Sequence, residues 1–300
     1  MLPLAVHIAD GVLPPTWQIA GFLAAGVLLV VNGRRLADAE IPRIALLTAA
    51  FFVASSIHLR LGVASVHLLL NGLVGIVLGR RAVIAIAVGL VLQAVLIGHG
   101  GSTALGVNIC DMTLPAYLAA ILFGGLRRIP AVRHPLGRGV IVAGCVIVWG
   151  LSLGAGLELA IADWHDRTAE WLLHPSLWWC LQPLPLAILG VIAAVMAVVE
   201  RHSAASADFA IGLLVGESAV LATVGLTAIV LRLAVPGPAG AVAPVLFVAH
   251  LPVAAIEGIV CGFAVSFLAK VAPDVLAGSR SAQREDLVER DLPLTEADTD

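Results

Sequence analysis

The chain has 300 residues, 60% of them hydrophobic and only 12% charged, with a formal net charge of −3 at neutral pH. A mean hydropathy of +1.03 lies outside the range of water-soluble domains, and the lack of sustained residue alternation argues against a membrane β-barrel. What remains is a polytopic, all-α transmembrane helical bundle; the small net charge says little about partners, and no nucleic acid is expected.

The first residues, MLPLAVHIADG, carry no basic cluster and reach Asp10 before an apolar run has built up, so no cleavable signal peptide is expected. His7 lies close to this start. A terminal amine, the next backbone nitrogen and an imidazole can close fused rings around one divalent ion. A second histidine would complete a four-nitrogen plane, which suits Ni(II) or Cu(II) better than Mg or Ca. The chelate requires histidine at the second position, whereas this one stands seventh; a solvated loop histidine is the alternative.

Apolar runs follow at 17–32, 43–59, 63–79, 82–98, 111–126, 139–161, 184–200, 208–232 and 244–270. Several fall short of the ~20 residues that cross a bilayer comfortably, so about seven to nine spans are expected, some of them tilted, broken or re-entrant. In the first, Ala20 and Ala24 offer small-residue spacing for a partner helix. The run 63–79 organises the rest. Its His67, Asn71, Gly75 and Gly79 recur every four residues, so in a helix they share one face, and that face must meet protein or a cavity rather than lipid. Gly75 and Gly79 add a GxxxG spacing for close helix approach. His67 is then either a functional imidazole or a buried one bonded to a neighbour, while His58 is expected at the interface.

GHGGSTALGVN at 98–108 is glycine-rich and holds His99, Thr103 and Asn108. It has no lysine and follows an apolar run rather than a strand, so a loop packed over a site fits better than a phosphate loop. Gln93, Glu217 and Glu257 stand inside apolar runs and must be paired, protonated or wet; the two glutamates are candidate proton carriers or structural carboxylates. The connection 162–183, with Asp163, Asp166, Glu170, Trp164, Trp171, Trp178 and Trp179, reads as an external loop or interfacial helix. From 272 to 300 the chain turns polar and acidic, as a disordered cytoplasmic tail would. Cys110, Cys145, Cys180 and Cys261 form no CxxC pair and read as buried small hydrophobes.

Arginines alternate between connections. Arg34, Arg35 and Arg43, then Arg80 and Arg81, then Arg127, Arg128, Arg133 and Arg138, then Arg201 occupy one side; Arg60, Arg167 and Arg232 are all that the other side holds. The positive-inside bias places the N-terminus outside and the C-terminus in the cytoplasm. HExxH and GxSxG are absent, which leaves little support for a hydrolase.

HIADGVLPPTWQ at 7–18, His67 with its glycine spacing, QAVLIGHGGSTALGVN at 93–108 and HLPVAAIEGIVCGFAVSFL at 250–268 together resemble the CbiM/NikM family. Its members are substrate-binding membrane subunits of energy-coupling factor transporters for cobalt and nickel. The match touches both ends of the chain and most of 1–128, while 139–240 is only generically similar. The resemblance implies that 1–271 is a transmembrane metal-binding domain importing Co(II) or Ni(II) across the cytoplasmic membrane. It implies no permanently bound cofactor and no enzymatic activity in this chain. The implied partners are a CbiQ-like transmembrane coupling subunit, CbiO-like ATPase subunits, a small CbiN-like subunit and membrane lipid.

The resemblance also implies a metal site made of the terminal amine, the backbone nitrogen and imidazole of the motif histidine, here His7, and a second imidazole, here His67. Five residues precede Val6, which would have to supply the amine. Valine can be encoded by GTG, also a bacterial start codon read as methionine, so translation from position 6 would produce Met-His-Ile-Ala-Asp-Gly; proteolysis before position 6 would expose an equivalent amine. No ligand role passes to the GHGG stretch. Two rivals stand beside this reading: a stand-alone proton-coupled secondary carrier using Glu217 or Glu257, and an intramembrane metalloenzyme with His67 and His99 as ligands.

Overall fold

The computed structural model describes residues 7–61, 64–164, 182–202, 207–235 and 243–276. Val6, the connection from 165 to 181 and the tail beyond 276 lie outside the described residues.

Ten helices account for most of the described chain. They are α1 (Pro15–Gly33), α2 (Ile41–Ser56), α3 (Asn71–Leu78), α4 (Ala82–Leu92), α5 (Leu105–Leu126), the single turn α6 (Pro130–Arg133), α7 (Pro135–Trp164), α8 (Pro183–His202), α9 (Ala207–Ala234) and α10 (Ala243–Val271). Among the described residues eight helical stretches are long and apolar enough to cross a membrane, when 71–97 is taken as one; this is within the expected range, and the chain is a multi-pass membrane protein with an all-α bundle. α1 opens at Pro15, whose missing N–H costs nothing at a first helical position. α1 and α8 turn Leu23, Val27, Val191 and Val195 outward, as a lipid-facing surface does. The core lies between α3, α4, α5 and α9, where Val74, Ile86, Met112 and Val220 are almost wholly enclosed.

The run 63–79 is not one helix. His58–Leu61 (β1) and Ala64–His67 (β2) form an antiparallel hairpin with His58 opposite His67. Helix begins only at Asn71, after Leu70 has turned left-handed at φ 50°. His67 therefore shares no helical face with Asn71. Gly75 and Gly79 also part company: Gly75 lies against the Ala116 backbone of α5, whereas Gly79 has nothing within 4 Å and takes φ +55° at the end of α3. Gly79 is a turn residue, which only a side chain lacking Cβ makes without strain.

That turn reverses the chain. A straight helix over 71–97 would separate His67 from His99 by roughly 40 Å at 1.5 Å per residue, yet their ring centroids stand 5.5 Å apart. α3 descends from the histidines, Gly79–Arg81 turns, and α4 with its π-helical extension Gln93–Ile97 returns. Eight residues make a helix of only about 12 Å, so the hairpin and Leu68–Leu70 reach into the bundle to meet it.

The broken helix needs its backbone groups satisfied, because no water reaches them in an apolar interior. Glu257 of α10 does this. Its carboxylate accepts the Leu69 N–H, and the Leu70 N–H at 2.9 Å to each oxygen. Asn71 donates to Thr223 Oγ1 at 2.7 Å and to the Met112 carbonyl at 3.2 Å, tying α3 to α9 and α5. Gln93, another polar residue within an apolar run, donates to Ser55 Oγ of α2. Glu217 faces Cys145 and Trp149 of α7.

Arginines gather at the end of the bundle away from His67. Arg81 is 3% exposed and donates to the carbonyls of Asn32, Arg34 and Arg35 at the end of α1, while pairing with Glu40 at 3.0 Å. Arg127 pairs with Asp208 at 2.7 Å, and Arg138 with Glu200 at 3.5 Å. At the same end Pro273–Val275 form a 3-10 turn after α10, and Leu276 is buried against the core.

Candidate metal centre

The segment before α1 is held down by its own apolar residues. Ile8 and Leu13 are buried with Ala104 just before α5, Val107 of α5, and Val230 and Ala234 of α9. Asn108, 1% exposed, clasps the same segment as a second backbone would: its Oδ1 accepts the Ile8 N–H at 2.9 Å and its Nδ2 donates to the Ile8 carbonyl at 3.0 Å. One residue earlier, His7 is thereby fixed in register and direction, and only 3% of it is exposed.

Asp10 ties the segment to the loop that follows α4. Its carboxylate accepts from the Ser102 N–H (3.1 Å) and hydroxyl (3.3 Å), and from the Thr103 N–H (2.6 Å) and hydroxyl (2.5 Å). The Thr103 hydroxyl above all, with the other donors, holds the Asp10 carboxyl below its ordinary value although the residue is exposed. The loop can lie this close because it is built of glycine. Gly98 and Gly100 take φ +67° and +71° on either side of His99; a Cβ on Gly100 would touch the His7 side chain, and one on Gly101 would collide with the Asp10 backbone.

The result is a cluster of three imidazoles. His7 and His67 stack with centroids 4.8 Å apart and planes 10° from parallel. His99 stands across them at 5.2 and 5.5 Å, at 86° and 85°. One ligand nitrogen from each lies within 4.8 Å of the others. Three nitrogens on one ion can all stand at most about 3.6 Å apart, √3 times a metal–nitrogen bond of about 2.1 Å, so closure asks for movements of up to about an ångström. His67 is 2% exposed, and its Nδ1–H donates to the Leu68 carbonyl at 2.9 Å. That bond leaves the lone pair on Nε2, the usual way a second partner orients a metal-binding imidazole. Three convergent nitrogens without a carboxylate suit a borderline transition ion and not Mg or Ca.

The sequence profile of CbiM, described as the cobalt uptake substrate-specific transmembrane region, matches residues 7–199 and 181–275. The chain belongs to the CbiM family. Among its CbiM-related proteins is a candidate metal transport protein of Haemophilus influenzae, 42% identical over 39% of this chain and 57% of its own length. The fused nickel transport protein NikMN of Rhodobacter capsulatus is 31% identical over 57% of this chain and 52% of its own. A candidate fused cobalt transport protein CbiMQ of Methanocorpusculum labreanum is 34% identical over 39% and 21%. The chain thus spans little more than half the length of the first two and about a fifth of the third. A solved transition metal transporter shares the fold, with a TM-score of 0.50 at 19% identity over 93% of this chain and 99% of that one. CbiM and these relatives are transporters rather than enzymes.

Of the ligands expected from sequence, His7 and His67 come together, and Val6 lies outside the described residues. His99, given only to the metalloenzyme rival, joins them. Asn108 and Asp10 had no assigned role; the signal for both was the run of glycines that leaves the 98–103 backbone bare enough to receive another strand of chain. Glu257, a candidate proton carrier, is engaged with the backbone that leads His67 into α3.

Proposed function

We propose that this CbiM chain is the substrate-capture subunit of an energy-coupling factor transporter that imports Co(II) or Ni(II). The observation that carries the reading is the stacked, buried pair of His7 and His67, held beneath a glycine loop at one end of a membrane bundle. The ion is cargo. It is bound by the imidazole and backbone nitrogen of His7, by Nε2 of His67, and by an amine at position 6 when the chain begins there as methionine in place of Val6. Deprotonating a backbone amide on a chelating metal closes two fused rings, and His67 completes the plane.

The arginine-poor end of the bundle faces the outside on this reading, with the arginine-rich end and the C-terminus in the cytoplasm. Asp10 and Asn108 keep the N-terminal segment seated while the ion exchanges its water for nitrogen. Release follows reorientation driven by partner subunits: a CbiQ-like coupling protein, CbiO-like ATPases and a CbiN-like small subunit. The fused relatives NikMN and CbiMQ support the first and last of these.

Calorimetric titration of purified protein with NiCl2 and CoCl2 tests the reading. One ion per chain is expected, held by the form that begins Met-His at position 6 and lost on His67→Ala. Absence of binding by both that form and the full chain would remove the capture role.

A further inference from the structure

The proposed four-nitrogen plane leaves His99 without a task, although its position is as well determined by the fold as the other two. We infer that His99 is a further ligand to the captured ion, approaching from outside the plane set by His7 and His67. The inference rests on the capture reading and adds to it a coordination number and a consequence for metal choice.

Geometry carries it. His7 and His67 are parallel, so an ion shared by their nitrogens sits at the rim of the stack. His99 is nearly equidistant from the two, at 5.2 and 5.5 Å, and perpendicular to both; it stands over that rim. Its ligand nitrogen belongs to the same group within 4.8 Å as theirs. The backbone is shaped to bring it there. Left-handed glycines flank it at 98 and 100, and the following residues are tethered to Asp10 through Ser102 and Thr103. His7, Asp10 and His99 therefore move as one latch: seating the N-terminal segment also seats the third imidazole. His99 is half-buried where the other two are enclosed, which makes it the ligand nearest the water-exposed mouth.

A planar set of four nitrogens favours low-spin, diamagnetic Ni(II). A fifth nitrogen perpendicular to that plane raises the axial field and favours five-coordinate, paramagnetic Ni(II), a geometry that Co(II) accepts equally. His99 thus narrows the difference between the two ions and makes this site less nickel-selective than a bare plane. Should the amine be absent, the same residue leaves three imidazoles, enough for facial coordination.

The test uses the purified chain beginning Met-His at position 6 and the full chain, each loaded with Ni(II) or Co(II), as wild type and as His99→Ala. X-ray absorption should count three imidazoles in the wild type and two in the variant, and susceptibility should show paramagnetic wild-type Ni(II). In His99→Ala started at position 6, Ni(II) should become diamagnetic, with affinity lower by roughly 10- to 100-fold, the loss that even an outer-sphere partner gives on removal. Added imidazole should restore the wild-type spectrum. Two imidazoles in the wild type, or the same affinity and spectrum in His99→Ala, would overturn the assignment while leaving capture by His7 and His67 in place. Failure of the wild type to bind either ion would overturn both. The imidazole count in the wild type decides the matter even if the variant does not fold.

Discussion

At the scale of single residues, the site depends on groups that position the histidines as much as on the histidines themselves. Asn108 satisfies both backbone groups of Ile8 in a buried setting. Asn108→Ala leaves a donor and an acceptor without partners, at about 1–3 kcal/mol each. Metal affinity measured by titration should fall at least tenfold while the protein stays folded in detergent. Asp10 acts from an exposed position, so its contribution is screened, and Asp10→Asn should weaken metal binding by no more than about fivefold. The sign of its pH dependence follows from the lowered carboxyl. The Asp10 latch is intact above the ordinary carboxylate range and opens only as pH falls through the lowered value. Any loss of metal between about pH 5 and 7 must therefore come from protons competing for the ligand nitrogens, and Asp10→Asn should leave the midpoint of that loss unchanged. A midpoint that moved with Asp10→Asn would contradict this division of roles. The histidine motif was readable in the sequence because HIADG stands so near the chain's start. Convergence with His99 was not, since 92 positions separate His7 from it and the loop's own composition names no target.

Individual elements carry the departure from expectation. Hydropathy located the helices because apolar runs of span length have few alternatives in a membrane. It could not resolve 63–79, where an extended hairpin and a short helix are equally apolar. The break at Leu70 is stabilised by Glu257, 187 positions away, and no local signal reports that. Substitutions at two positions test this part of the fold. Glu257→Ala removes the carboxylate that accepts from the Leu69 and Leu70 N–H groups. It should lower thermal stability and weaken metal binding together, whereas Glu257→Gln, which keeps one oxygen, should fall between it and the wild type. A secondary carrier using this carboxylate for protons would instead lose transport in Glu257→Gln with stability unchanged. Gly75 packs directly on the Ala116 backbone, so Gly75→Ala forces α3 and α5 apart at about 1–3 kcal/mol. A lowered melting temperature in detergent is expected, with metal stoichiometry preserved in the folded fraction.

Across the whole molecule, the histidine cluster and the arginine-rich turns occupy opposite ends of one bundle. The α3–α4 hairpin links them directly: Glu257 grips its start beside His67, and Arg81 locks its turn to the α1–α2 connection. The proposed capture at one end and coupling at the other would need such a rigid connection, and the buried arginine with its carbonyl partners would supply it. The polytopic helical bundle and the family were legible from sequence, because they rest on long apolar runs and on motifs that remain intact when read linearly. Three-dimensional closure of the site was not, because it depends on one reversal at Gly79.

The central claim is that His7 and His67 hold the transported ion. It is tested most directly by equilibrium titration of Ni(II) and Co(II) into the purified chain beginning Met-His at position 6, compared with His7→Ala and His67→Ala in the same form. One ion per chain is expected, with affinity reduced more than roughly 100-fold in either variant, the upper end of what loss of a partner just outside the coordination sphere costs. Undiminished one-to-one binding in both variants, with each shown to be folded, would contradict it.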